Sequence, residues 1–357
     1  TRLTRDRAEF YALRPIRAIA NTAELVFISL LETTVELSRE LAAFYTGYAN
    51  PYDALIDLAE DGMTVAAVRS LFAELRAGLV PLIATIRARP ETDARCLAGN
   101  FPEHAQQAFG ENAIRAFGYD YARGRQDKTA HPFMTKLGRG DVRITTRYRA
   151  DNLSDGLFST LHEAGHAMYE QGIDDGLDGT PLFTGTTSGV HESQSRLWEN
   201  LVGRSLPFWR HWYAPLQAAF PGVLDDVDVD TFYRAINKVR SSLIRTEADE
   251  VTYNLHVMLR FDLELALLEG TLKVADLPEA WRARVQSDLG VSPPDDRDGA
   301  LQDVHWYGGI VGGAFQSYTL GNIMSAQFFA ASRRDLSDLD GQIGAGRYAP
   351  LRAWLTE

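Results

Sequence analysis

The chain has 357 residues, 45% hydrophobic and 24% charged, with a formal net charge of −12. That is enough apolar material for one large core or two halves, and the acidic balance argues against a nucleic-acid partner, which would want a basic patch. Apolar runs are too short for a membrane-spanning helix, Thr1–Arg7 lacks the apolar core of a secretory leader, and the single cysteine, Cys96, excludes an internal disulfide or a cysteine-rich zinc finger and fits a reducing cytoplasm.

Residues 8–89 are helical in pattern. Leu25, Ser29, Leu30, Thr33, Leu37, Leu41 and Phe44 fall at helical spacing and predict one packing face. A Gly47-to-Pro51 break follows. Thr64 reads as a helix N-cap, with Val65, Val68, Leu71, Phe72 and Leu75 as the core face behind it. Glu103 to Phe117 reads as another helix, ended by Gly118. All of this reads as scaffold. Then the pattern changes: Val142, Ile144 and Thr146 alternate with Arg143, Thr145 and Arg147, which is strand periodicity. Such a strand offers either an edge for an extended peptide or an ordinary edge blunted by charge.

The next stretch, Leu161-His162-Glu163-Ala164-Gly165-His166, has the form H-E-x-x-H. Residues four apart lie on one helix face, so His162 and His166 can point two imidazoles at one metal ion. Glu163, turned about 100° around the axis, can reach a metal-bound water as a general base without itself being a ligand. Leu157, Phe158, Leu161, Ala164, Gly165 and Met168 supply a packing face. Asn152, Ser154 and Asp155 offer N-terminal caps, and Gly172 offers a left-handed C-terminal end.

Zinc fixed by three protein ligands keeps a position for water, so a third ligand is required. After a Gly-, Asp- and Thr-rich loop from Gly172 to Gly189, a new helix carries Glu192, Ser195, Arg196 and Glu199 on one face and Leu197, Trp198 and Leu201 on another. Glu192 is the natural carboxylate ligand; His191 competes with it, or acts by hydrogen bonding behind a ligand. Asp226 to Leu268 again reads as helical. Val291–Gly299 is a polar loop, and a Gly-rich turn after Trp306 leads into a last helix. The fold class expected is mainly α, a single large helical domain with a small β-sheet.

Several stretches, taken together and in order, resemble the metallocarboxypeptidases of the thermostable carboxypeptidase Taq type, peptidase family M32. They are His131-Pro132-Phe133, Asp141–Thr145, His162–His166, His191-Glu192-Ser193-Gln194, Ile244–Asp249 and Gly299–Trp306, with Gln302, Asp303 and His305 inside the last. The resemblance implies a zincin-like active-site helix in a deep substrate groove, with residues 1–118 as a scaffold half and 119–357 as a catalytic half of one domain. It also implies His162, His166 and Glu192 as zinc ligands, Glu163 as base, and a homodimer that removes single residues from peptide C-termini. A free carboxylate is best recognised by arginine's planar, always-charged fork. Arg245 is the first candidate and Arg143 the second, with Gln302 beside them as a substrate-binding residue. For each arginine a salt bridge is the plain alternative, Asp249 lying at i+4 from Arg245. His131, His305 and Tyr318 are candidate donors to the oxyanion, with Asp303 able to orient an imidazole. The chain departs from the family pattern where Ala314 and Gln316 replace an aromatic and a proline before Tyr318, and it is shortened at both ends.

The expected activity is therefore that of a cytoplasmic, zinc-dependent carboxypeptidase, with Co2+ or Mn2+ as possible substitutes. Its substrates would be peptides with a free C-terminal carboxylate, with no nucleic-acid or membrane partner. The same metal centre would also serve an endo-acting oligopeptidase, because ligands and base do not encode where a peptide ends. A zinc-stabilised, non-catalytic peptide-binding scaffold is the third reading, though it has no use for Glu163.

Overall fold

The protein was analysed as a computed structural model that describes residues 20–302 and 304–357. Residues 8–19 of the first helical region, the Thr1–Arg7 segment and Asp303 lie outside the described residues. In chain order, α1 spans Ala20–Ala43, α2 Asp53–Asp57, α3 Val65–Arg87 and α4 Glu103–Phe117. The strands follow, β1 at Gln126–Lys128, β2 at Met134–Gly138 and β3 at Asp141–Thr146. Next come α5 (Leu153–Gln171), α6 (Ser188–Arg196), α7 (Leu206–Ala219), α8 (Val229–Ile236), α9 (Glu250–Glu269) and α10 (Leu277–Leu289). The last are α11 (Phe315–Asp335), α12 (Leu339–Gly344) and α13 (Ala349–Thr356). The fold is mainly α with one small sheet, as the sequence predicts.

The chain divides into two compact units. One comprises the residues up to Arg89 and Val239–Thr319; the other comprises Pro90–Lys238 and Leu320–Glu357. In the first, α9 is buried on most of its surface, His256, Arg260 and Glu264 included. Its Leu255, Leu259 and Phe261 join Phe27, Leu31 and Val35 of α1 and Val68 and Phe72 of α3 in one core. The Thr64 hydroxyl accepts from the Ala67 N–H and caps α3. In the second, Leu157, Leu161, Ala164 and Met168 of α5 pack with Phe117, Trp198, Phe208 and Trp209. Gly118, at φ 110°, ends α4 in the left-handed region that favours glycine. Among the described residues no helix is long and apolar enough to cross a membrane.

Three local expectations are corrected. α1 buries Phe27, Leu31, Val35, Ser38 and Ala42, a stripe beside the predicted one, and Phe44, 83% exposed, lies past its end. Both stripes of α1 are apolar, so periodicity alone leaves its rotation open. The helix expected across 226–268 is two helices, α8 and α9, separated by irregular chain and a 3₁₀ turn at Arg245–Glu247. Finally β3 is not an edge. The strand order is β1-β3-β2, with β1 parallel and β2 antiparallel to it, Gln126 and Met134 both registered on Ile144. The edge strand β1, only Gln-Asp-Lys, carries no apolar alternation to announce it. Val142 and Ile144 are fully buried, which an inner strand lying on α5 requires.

Candidate metal centre

The geometry starts at the cap of α5. The Asn152 side chain accepts from the N–H groups of Ser154 and Asp155 at 2.8 and 3.3 Å, satisfying two donors that the first turn leaves open. At the other end Gly172 sits at φ −85°, in the right-handed region rather than the expected left-handed one. Its N–H bonds both Met168 O and Tyr169 O, so the helix ends by tightening its last turn. α6 begins under the Thr187 hydroxyl, which accepts from the Val190 N–H.

Two glycines let the helices approach closely. A Cβ on Gly165 of α5 would stand 2.6 Å from Ser195 Cα and 2.7 Å from Gln194 O of α6. A Cβ on Gly321 of α11 would stand 2.7 Å from both Cβ and Cγ of Glu192. With both positions bare, Glu192 lies over the H-E-x-x-H face. Its Oε2 is 3.7 Å from His162 Nε2 and 3.4 Å from His166 Nε2. One ligand atom from each of the three residues fits within 4.8 Å. Two donors held tetrahedrally by zinc at about 2.0–2.2 Å lie roughly 3.4 Å apart, so the observed separations suit one small divalent ion.

The donor set is also correctly backed. His162 Nδ1 lies 2.9 Å from Glu199 Oε2. Glu199 belongs to a π-helical segment, Leu197–Val202, that continues α6; such turns recur at functional sites. Arg196 bonds Glu192 at 2.7 Å and Glu199 at 3.3 Å, and Arg204 bonds Glu199 at 3.2 Å. Behind the other imidazole, His166 Nδ1 lies 2.6 Å from His191 Nδ1, and His191 Nε2 lies 3.0 Å from Glu170 Oε1. Both imidazoles thus have Nδ1 engaged elsewhere and Nε2 turned to Glu192. His191 stands behind His166, while Glu192 faces the two Nε2 atoms.

Burial opposes charge on Glu192, but the nearby Arg196 and then His162 outweigh it and hold the carboxyl well below its usual range. Glu199 is likewise held at about 2: burial works against ionisation, while the His162 hydrogen bond and Arg196 favour it more. Glu163 behaves oppositely. It is 7% exposed, and burial pushes it up to about 7, with His162 pulling down and Glu192 and Glu199 adding to the rise. A carboxyl near neutrality beside two carboxylates held ionised is poised to exchange protons.

The other candidate residues fall into separate places. In the first unit, Arg245 is 8% exposed and donates to the Tyr253 hydroxyl at 3.0 Å. Its guanidinium lies 5.0 Å from the Tyr318 ring centroid and 5.9 Å from that of Phe315. Asp249, the partner in the salt-bridge alternative, caps α9, accepting from Val251, Thr252 and Arg240. His305 Nε2 is 3.1 Å from the Tyr318 hydroxyl, so Arg245, His305 and Tyr318 form one aromatic-walled group. Gln302 uses its amide to bond the Leu243 and Asp298 carbonyls at 3.0 and 2.8 Å, fastening local chain. In the second unit, Arg143 is bidentate to Asp141 at 2.6 and 2.7 Å, the salt-bridge alternative. His131 is exposed in the turn between β1 and β2. Sequence reasoning placed Glu199 and Arg196 on the right face without giving them a role, and missed Glu170 and Lys136. Glu170 had a signal, since it continues the 162, 166 row by one more step of four; Lys136, on a strand, had none.

The profile of the carboxypeptidase Taq (M32) metallopeptidase family matches residues 18–357, and the chain belongs to that family. It is 41% identical over 333 residues to carboxypeptidase 1 of Bacillus subtilis, covering 93% of this chain and 66% of that protein. It is 48% identical over 310 residues to thermostable carboxypeptidase 1 of Thermus thermophilus, covering 86% of this chain and 60% of that one. The crystal structure of an M32 carboxypeptidase from Deinococcus radiodurans superposes with a TM-score of 0.94 at 48% identity, over 99% of this chain and 70% of that one. The chain therefore spans 60 to 66% of the length of these two curated relatives.

Proposed function

We propose that this protein is a zinc-dependent metallocarboxypeptidase that removes single residues from the C-termini of peptides. The observation that carries the reading is the convergence of His162 Nε2, His166 Nε2 and Glu192 Oε2, with a buried acid, Glu163, on the same turn of α5. The family is one of metallopeptidases, and a His-His-Glu set suits Zn2+, with Co2+ or Mn2+ as substitutes. When bound, the ion supplies Lewis acidity to the scissile carbonyl and to the attacking water.

The chain's own residues do the rest. His162, His166 and Glu192 hold the ion. Glu163 takes the proton of the attacking water and returns it to the departing amine, which its position near neutrality permits in both directions. Arg245 takes the substrate's terminal carboxylate; its aromatic walls exclude water and so strengthen the ion pair. His305, Tyr318 and His131 supply donors to the developing oxyanion. A homodimer working in the cytoplasm on peptides completes the reading, and sedimentation measures its oligomeric part directly.

Mass spectrometry of peptide digests with and without chelator tests the proposal. The expected result is a ladder shortened one residue at a time from the C-terminal side and abolished by chelation. Cleavage at internal bonds would replace it with the oligopeptidase reading, and an intact peptide beside zinc-loaded protein would leave the binding scaffold.

A further inference from the structure

The polar chain behind His166 continues past His191 to a different element of the fold. Glu170 accepts at Oε1 from the Gly185 N–H, at 3.0 Å, besides facing His191 Nε2. Its Oε2 is 3.0 Å from Lys136 Nζ, and Lys136 also donates to Phe183 O at 2.7 Å and lies 3.6 Å from the Phe183 ring centroid. Both charged groups are nearly out of water, at 4% and 14% side-chain exposure. A Cβ at Gly185 would stand 2.6 Å from His191 Cδ2 and 2.8 Å from Tyr169 Cε1, so a larger residue there would displace one of those rings.

The Glu170 end sets the direction in which the hydrogen bonds of this chain run. A carboxylate facing an ammonium and a backbone N–H is an acceptor, so His191 Nε2 carries the hydrogen it points at Glu170. With a neutral imidazole at 191, the lone pair lies at Nδ1 and the 2.6 Å contact is donated by His166 Nδ1–H. His166 is left with its lone pair at Nε2, the atom facing Glu192. We propose that Glu170 and Lys136, acting through His191, are positioning residues that lock His166 as an Nε2 metal donor and tie β2 and the 183–185 loop to the metal centre. His162 has its carboxylate in direct contact; His166 has its carboxylate one imidazole further away, with a lysine and a loop attached. The inference rests on the reading of His162, His166 and Glu192 as ligands.

The test is metal affinity, measured on the full chain by competition with a chromophoric chelator using Zn2+, with the visible spectrum of the Co2+-loaded protein as a second readout. Loss of such hydrogen-bonded partners typically weakens metal binding about 10- to 100-fold. Glu170→Gln and Lys136→Met should weaken it by that order and shift the cobalt bands, and Lys136→Arg should restore most of the affinity. Thermal unfolding of the metal-free variants separates positioning from plain stability. Variants that melt earlier yet bind zinc as tightly as the parent, with unchanged cobalt bands, overturn the proposal. A parent protein whose zinc affinity is unaffected by His166→Ala would instead remove the metal-centre reading, and this inference with it.

Discussion

The two groups of candidate residues are built by opposite means. Around His162, His166 and Glu192 polar side chains answer one another: Glu199 and His191 behind the imidazoles, Arg196 behind Glu192, Lys136 behind Glu170. The elements are helices that regular spacing and close glycine contacts hold in place. Around Arg245 the walls are rings, those of Tyr253, Phe315 and Tyr318, and the backbone is two 3₁₀ turns, Arg245–Glu247 and Val304–Tyr307. A divalent ion needs donors at fixed distances and tautomers, which a hydrogen-bonded helix pair supplies. A guanidinium walled by rings sits where water competes less for its charge.

The comparison breaks first at Glu163. Glu163→Gln keeps the shape and removes the base, so hydrolysis should fall by about 10²- to 10⁴-fold with zinc content unchanged; activity near the parent's would show that Glu163 carries no proton. On the other side, Arg245→Ala should raise KM for free-carboxylate peptides by roughly 10- to 100-fold, the equivalent of a charge-assisted hydrogen bond. C-terminally amidated peptides should be unaffected, and equal losses on both would deny Arg245 its role as the carboxylate anchor.

Smaller effects probe how each group is held. Gly165→Ala forces a methyl against Ser195 Cα, which should cost about 1–3 kcal/mol in denaturant unfolding and weaken zinc binding by moving Glu192. If zinc binds as before, the closeness of α5 to α6 does not set the ligand geometry. The smallest effect is one of pH. Glu170 is held at about 2: burial raises it, and His191, Lys136 and the Gly185 N–H bring it down further. A depressed carboxyl contributes stability above its unfolded value, near 4.5, and loses it as pH falls from there toward 2. The stability gap between the metal-free parent and Glu170→Gln should therefore be widest above pH 4.5 and shrink below it. A gap that stays constant through that window would mean Glu170 is not ionised where it sits.

What could be read ahead of the structure follows the range over which each signal acts. His162 and His166 are one turn apart, so their shared face is written in local spacing alone. Glu192 needed a second helix to return, which a loop of suitable length and a carboxylate on the right face made legible. The rotation of α1 was not, because two of its stripes are apolar. β3's inner place in the sheet was not either, because it depends on β1, whose three polar residues carry no pattern.

By itself the sequence determined the helical class, the cap and glycine stop of single helices, the H-E-x-x-H face and the family to which the chain belongs. Each is set by neighbours within a few residues or by a motif that survives as a string. Only the tertiary structure decided that Glu199 and the His191–Glu170–Lys136 chain stand behind the two imidazoles, and that Arg143 turns to Asp141 while Gln302 fastens a loop. Those choices depend on which donors and acceptors are brought within about 3 Å of each other, and hydrogen bonds between side chains far apart in the chain, unlike caps and helical periods, follow no fixed spacing along it.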